Sequence, residues 1–142
     1  MQYRLKPLSA TDSAVIRDTI YSYFQIATSK EIEKIPDFFS SRFTKFGDSP
    51  PYDRRDLDRS LMLEQLQFAS ISDYEFKIED LKVDTLGQTA VATFMLDSTG
   101  MIVDDYSFRG TAIHNKSRAT IIFQKEKNGW KMVHQHLSKF PG

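Results

Sequence analysis

Near the end of the chain, His134, His136 and Ser138 recur at every second position. Alternate residues of a β-strand point to the same face, so a strand through this stretch puts all three on one side. An imidazole with an ordinary pKa near about 6.5 is largely neutral at pH 7 and can serve as general base or hydrogen-bond donor. His136 is the candidate for that role, with His134 and Ser138 as ligand contacts. Two imidazoles so spaced could also grip a metal, with His114 as a third ligand. His114 lies in a polar stretch, however, and no carboxylate spacing supports it, so no metal is expected. A histidine hydrogen-bonded across the sheet or at a subunit interface is the plain structural alternative. No Ser-His-Asp pattern or nucleophile elbow surrounds Ser138, which reads as a polar strand end rather than a nucleophile.

Further candidates lie upstream. Arg118 and Thr120 share one face of the preceding strand, where Arg118 is a candidate catalytic residue beside His136 and Thr120 a ligand contact, a cross-strand ion pair of Arg118 being the plain alternative. Tyr52 follows Pro50-Pro51, and an aromatic ring on a rigid loop is suited to the rim of a pocket. The run Asp53-Arg54-Arg55-Asp56 is charge-balanced and reads as a solvated helix cap. Asp104-Asp105 reads as a solvated turn.

These residues must be positioned by the elements around them. Residues 118–125 are rich in β-branched and aromatic types and form a strand, and Asn128-Gly129 supplies the positive φ angles of a tight turn. The chain then returns over 130–138. Simple alternation puts Trp130, Met132, His134, His136 and Ser138 on one face and Lys131, Val133, Gln135 and Leu137 on the other. Upstream, a helix capped by Thr11 or Asp12 carries Val15, Ile16, Ile20, Tyr23, Phe24 and Ala27 at helical spacing. Residues 31–39 form a second, short helix distorted by Pro36. A short strand from Phe43 stops at the paired prolines. Asp56 or Asp58 caps a third helix through Ser70, with Leu57, Leu61, Leu63, Leu66 and Ala69 as its apolar stripe. The period then changes to that of strands. Residues 73–83 have one wet face, residues 89–96 are apolar on both, 101–109 alternate weakly, and 110–116 are polar enough for a loop or bulge.

Composition narrows the function classes. The chain has 142 residues, 40% of them hydrophobic, enough for one domain over 1–142 with a real core. Its 19 Lys and Arg balance 19 Asp and Glu, so no net field favours nucleic acid or an anionic membrane surface. The absence of cysteine excludes disulfides, thiolate nucleophiles and cysteine-based metal sites. No apolar run approaches the roughly 18 residues of a membrane span, and the first residues lack the apolar core of a signal peptide. A soluble, cytoplasmic protein is expected.

The order helix, helix, short strand, helix and long meander, closing on Trp130-Lys131-Met132-Val133-His134-Gln135-His136-Leu137-Ser138, resembles the SnoaL-like part of the nuclear transport factor two-like superfamily, which includes ketosteroid isomerase homologues. The closing motif is also similar to the association domain of calcium/calmodulin-dependent kinase II and to iota-class carbonic anhydrases. The resemblance implies an α+β, cystatin-like cone in which a curved antiparallel sheet wraps three N-terminal helices, with a pocket at its mouth. It implies a homodimer paired through the outer sheet face. By the same resemblance the pocket would take a small apolar or mixed-polarity molecule and act without a cofactor, by proton transfer. Tyr21, Tyr23, Asp48 and Asp97 are of the types that ketosteroid isomerase uses as base and oxyanion donor. A non-catalytic association module and a metal-free carbonic anhydrase are the alternatives. The kinase domain's pocket arginines are replaced by Ile121 and Leu137, and the anhydrases' terminal serine pair is interrupted by Leu137.

Overall fold

A computed structural model describes residues 10–103 and 109–140. Helix α1, Ala10–Ser29, turns Ile16, Ile20, Tyr23, Phe24 and Ala27 inward, and all five are buried. That spacing gives an amphipathic helix one continuous apolar stripe. At Lys30 a positive φ of 65° lets the backbone leave the helix. The expected short helix distorted by Pro36 then follows as a 3-10 helix, Ile32–Phe38. A short 3-10 segment tolerates Pro36, which has no amide hydrogen to give an α-helical ladder.

Strand β1, Phe39–Phe46, leads through the proline loop to helix α2, Leu57–Ser70. Asp56 caps α2, accepting the Arg59 amide hydrogen at 3.0 Å. The expected leucine stripe is not the buried one. Ser60, Glu64 and Phe68 are buried instead, while Met62 and Leu66 are exposed. Glu64 can face inward because Lys45 and Tyr23 stand beneath the helix and satisfy its carboxylate.

Four more strands complete the sheet: β2, Ile71–Leu86; β3, Thr89–Val103; β4, Gly110–Glu126; and β5, Gly129–Lys139. Their order is β1-β5-β4-β3-β2. Neighbours from β2 to β5 are antiparallel, but β1 runs parallel to β5, so the sheet is mixed at that edge. The α+β plan and the helix-covered inner face are as expected. Residues 110–116 are not a loop. They extend β4, with Ile113 opposite Gly100 and His114 opposite Thr99, because an edge of sheet with water on its outer face accepts polar side chains once β3 satisfies the backbone. Asp104 and Asp105 lie outside the described residues.

Curvature has a local cause. The β2–β3 register slips between Ser72 and Glu75 and again between Glu79 and Lys82. Asp73 and Asp80, inside those slips, have φ of 52° and 56°. An aspartate tolerates that left-handed conformation better than most residues, and an extra residue on one strand bends and twists it. The sheet therefore curls around α1, burying Ala90, Ala92, Phe94, Leu96, Ala119, Ile121 and Phe123 against the helix. Among the described residues, no helix is long and apolar enough to cross a membrane.

Candidate functional site

The facing of the last strand decides which residues see the interior. Phe123 of β4 pairs with Met132, yet Ile122 pairs with His134, leaving Val133 without a counterpart. One unpaired residue reverses the alternation beyond it. Trp130 and Met132 are therefore buried on the same side as Gln135 and Leu137, not as His134 and His136. The grouping expected from simple alternation is corrected at this point.

The consequence reaches β4. Thr120 pairs with His136 and Arg118 with Ser138, so Arg118, Thr120, His134, His136 and Ser138 all lie on the outer face. His136, Ser138 and the exposed Tyr52 come together there, lining an open groove with Phe46 and Asp48. His134 accepts or donates through Nδ1 to Thr44 Oγ1 at 2.8 Å. Burial first, and then the nearby His136 imidazole, hold its pKa below the usual histidine value. His114 meets Asp97 at 2.5 Å, far along the same face. Among the described residues, no cluster of three or more His, Asp or Glu could hold a metal.

The interior pocket is built from other residues. It opens between β1, α2 and the inner face of the sheet, with a volume of about 80 Å³. Phe24, Phe68, Ile71, Leu96 and Leu137 supply its apolar wall. Asp48, Ser98, Asn115, Ser117 and Tyr74 supply a polar side. The Ser117 hydroxyl donates to Asp48 Oδ2 at 2.5 Å, and Oδ1 has only a long 3.4 Å contact from the Ser49 hydroxyl. One carboxylate oxygen is thus held, and the other has no close partner among the described residues. Burial pushes the Tyr74 phenol up to about 12, so it keeps its hydroxyl hydrogen at neutral pH. The outer groove and the pocket share Gly47, Asp48 and Leu137 as their dividing wall.

Part of the pocket's own lining is a buried charge network. Lys45 pairs with Glu64, and the Tyr23 hydroxyl donates to Glu64 Oε2 at 2.6 Å. Burial, then Glu64, drives the Tyr23 pKa well above the ordinary phenol value. Arg55 is locked beside this network by a two-way backbone bridge with Lys45, at 3.0 and 2.9 Å. Among the described residues, Ser60 Oγ and Gln135 Oε1 are buried without a hydrogen-bond partner.

Of the residues that the sequence offered, Asp48 and Tyr23 belong to this region, whereas Tyr21 is exposed and Asp97 is on the outer face. Lys45, Arg55, Glu64, Tyr74, Asn115 and Ser117 carried no signal as site residues. Glu64 alone left a trace: it stands four residues after Ser60 and four before Phe68, on one helix face.

Comparison with known proteins follows this geometry. The family profile described as a SnoaL-like domain matches residues 16–141. A nuclear transport factor 2-like protein from Streptomyces avermitilis, proposed to be a dehydratase, superposes with a TM-score of 0.80 at 17% identity, covering 94% of this chain and 100% of that one. A nuclear transport factor 2-like superfamily protein from Salmonella enterica gives 0.76 at 18% identity, with 94% of each chain covered. A protein with a cystatin-like fold from Caulobacter vibrioides gives 0.72 at 16% identity, covering 93% of this chain and 92% of that one. At these identities the likeness is one of fold. No curated protein sequence matches the chain.

Proposed function

The chain belongs to the SnoaL-like domain family, and from that premise we propose that its interior pocket binds a small molecule of mixed polarity and moves a proton on it without a cofactor. Asp48 is the base in this reading. Its free Oδ1 takes a proton from a carbon next to a carbonyl, the electron pair moves onto the carbonyl oxygen, and Tyr74 donates a hydrogen bond to that oxygen as charge develops. Returning the proton to a different carbon completes an isomerisation, and giving it to a departing hydroxyl completes a dehydration. Ser117 fixes the carboxylate while this happens. The supporting observation is one: a carboxylate and a permanently protonated phenol line the same small pocket, opposite an apolar wall.

Exchange of the α-protons of cyclohexanone in heavy water, followed by NMR, tests it. The wild type should exceed the buffer rate by about 100-fold or more, and Asp48→Asn should fall to the buffer rate. Equal rates for the wild type and the buffer, or for the wild type and Asp48→Asn, would overturn the assignment.

A second reading, association of two copies through the outer sheet face, has its own support. Val91, Met95 and Ile122 stand half-exposed on that face among Thr93 and Thr120. A stable homodimer there would bury upwards of about 2,000 Å². A monomeric mass by light scattering at micromolar concentration would remove it.

A further inference from the structure

Arg55 is the charge that the interior does not explain. It is 5% exposed and lines the pocket. Its neighbour Lys45 is equally buried but has Glu64 as a counter-ion. Arg55 has none among the described residues. Its Nη2 donates to two neutral carbonyls, Ser49 O at 3.2 Å and Pro51 O at 3.1 Å. Among the described residues, its buried Nε donates to nothing and its hydrogen bonds are both made by Nη2. A guanidinium keeps its charge at any ordinary pH, and burying a charge is costly unless an anion and hydrogen bonds compensate it. The chain nonetheless holds it in place. The backbone bridge to Lys45 anchors Arg55, and Gly47 leaves the guanidinium its seat, since a Cβ there would come within 2.9 Å of Nη2.

We propose that Arg55 is the anchor for a carboxylate on the pocket's ligand, so that the preferred substrates are small carbonyl compounds that also carry a carboxylate, a neutral ketone such as cyclohexanone meeting the base without the anchor. This rests on the reading of the pocket as a small-molecule site. A planar guanidinium presents parallel N–H groups that match a carboxylate, and the bound anion supplies the counter-charge that the protein lacks. The pocket's small volume agrees, because a short acid fills it with few carbon atoms. Asp48 sits on the same lining, so an acid anchored at Arg55 brings its own carbon chain towards the base. Lys45 and Glu64 line the same pocket but neutralise each other, which leaves Arg55 as its uncompensated cation and Asp48 as its reactive anion.

Crotonate and crotonamide, near-identical in shape and different in charge, test this by titration with calorimetry. The wild type should bind crotonate about 10- to 100-fold more tightly than the amide, the range a charge-assisted hydrogen bond commands. Arg55→Gln should lose that preference while still binding crotonamide, and Arg55→Lys should keep part of it. Crotonate should also raise the melting temperature of the wild type but not of Arg55→Gln, whose retained binding of crotonamide shows that the variant is folded. Equal affinity for both probes, or an unchanged preference in Arg55→Gln, overturns the anchor while leaving the pocket intact. Binding of neither probe overturns the anchor and the pocket reading together.

Discussion

The Tyr23 hydroxyl donates to Glu64 Oε2 at 2.6 Å across the interface of α1 and α2, with both residues fully enclosed. Glu64 also takes the Lys45 ammonium, so one carboxylate ties two helices to the first strand. Removing Lys45 alone strands a buried negative charge. Lys45→Met should cost about 3–5 kcal/mol, whereas the double change Lys45→Met with Glu64→Leu should recover most of it. Urea unfolding with a double-mutant cycle reads both. A double variant that costs the sum of Lys45→Met and Glu64→Leu taken singly would show that the pair is not coupled.

Tyr23→Phe removes one donor from the same carboxylate and leaves the ring packing in place. A loss of about 1.5–3 kcal/mol is expected, the range of hydrogen bonds to charged groups. The aromatic contacts of Tyr23 with Phe24, Phe38, Phe39 and Phe68 survive the change, so a larger loss would point to disrupted packing.

His134 gives the protein a mild acid sensitivity. Its folded pKa is below the unfolded value near about 6.5. The unfolded chain therefore takes up a proton first as the pH falls. The contribution of His134 is full above the unfolded pKa and is lost as the pH drops through the folded one. Melting temperature should decline on acidification from just above neutrality, and His134→Asn should flatten that decline. An identical slope in the variant would remove His134 as the cause.

His136→Ala should leave both the melting temperature and ligand binding in the interior pocket nearly unchanged, within about 0.5 kcal/mol for an exposed surface position. The side chain is exposed, on the far side of the sheet from the pocket. A large effect on crotonate binding would mean that the outer groove, which it lines with Tyr52, communicates with the interior across Asp48 and Leu137.

Much of the scaffold was legible because it rests on local periodicity. The α1 stripe, the Asp56 cap, the hairpin that follows Glu126 and the alternation of β2 each follow from a few adjacent residues, although the turn itself is Lys127-Asn128 and, of the expected Asn-Gly pair, only Gly129 has a positive φ. The site was mostly illegible because it rests on exceptions to periodicity. Val133 reverses the facing of β5 through a pairing offset that β4 shares, and nothing in the local pattern announces it. Glu64 and Arg55 break the rule that charges stay wet. Arg55 in particular sits in an Asp-Arg-Arg-Asp run, where balanced charge suggests solvent, yet only Arg55 of the four is buried. Its bond to β1 joins Lys45 across a ten-residue loop, and such pairing is a tertiary fact. Asp48 was within reach through family resemblance, while Tyr74 was hidden as one more aromatic on the apolar face of β2.

The placement of β5 between β1 and β4 has a bearing on how the chain assembles. β1 has no other strand for a neighbour, and β5 is synthesised after every other strand. On the ribosome, the helices and the β2–β4 meander can begin to condense while β1 still waits with its edge open. Closing that seam joins segments about ninety residues apart, the kind of distant pairing that slows folding. A nascent chain halted before Gly129 would present that open edge to chaperones or to another copy of itself.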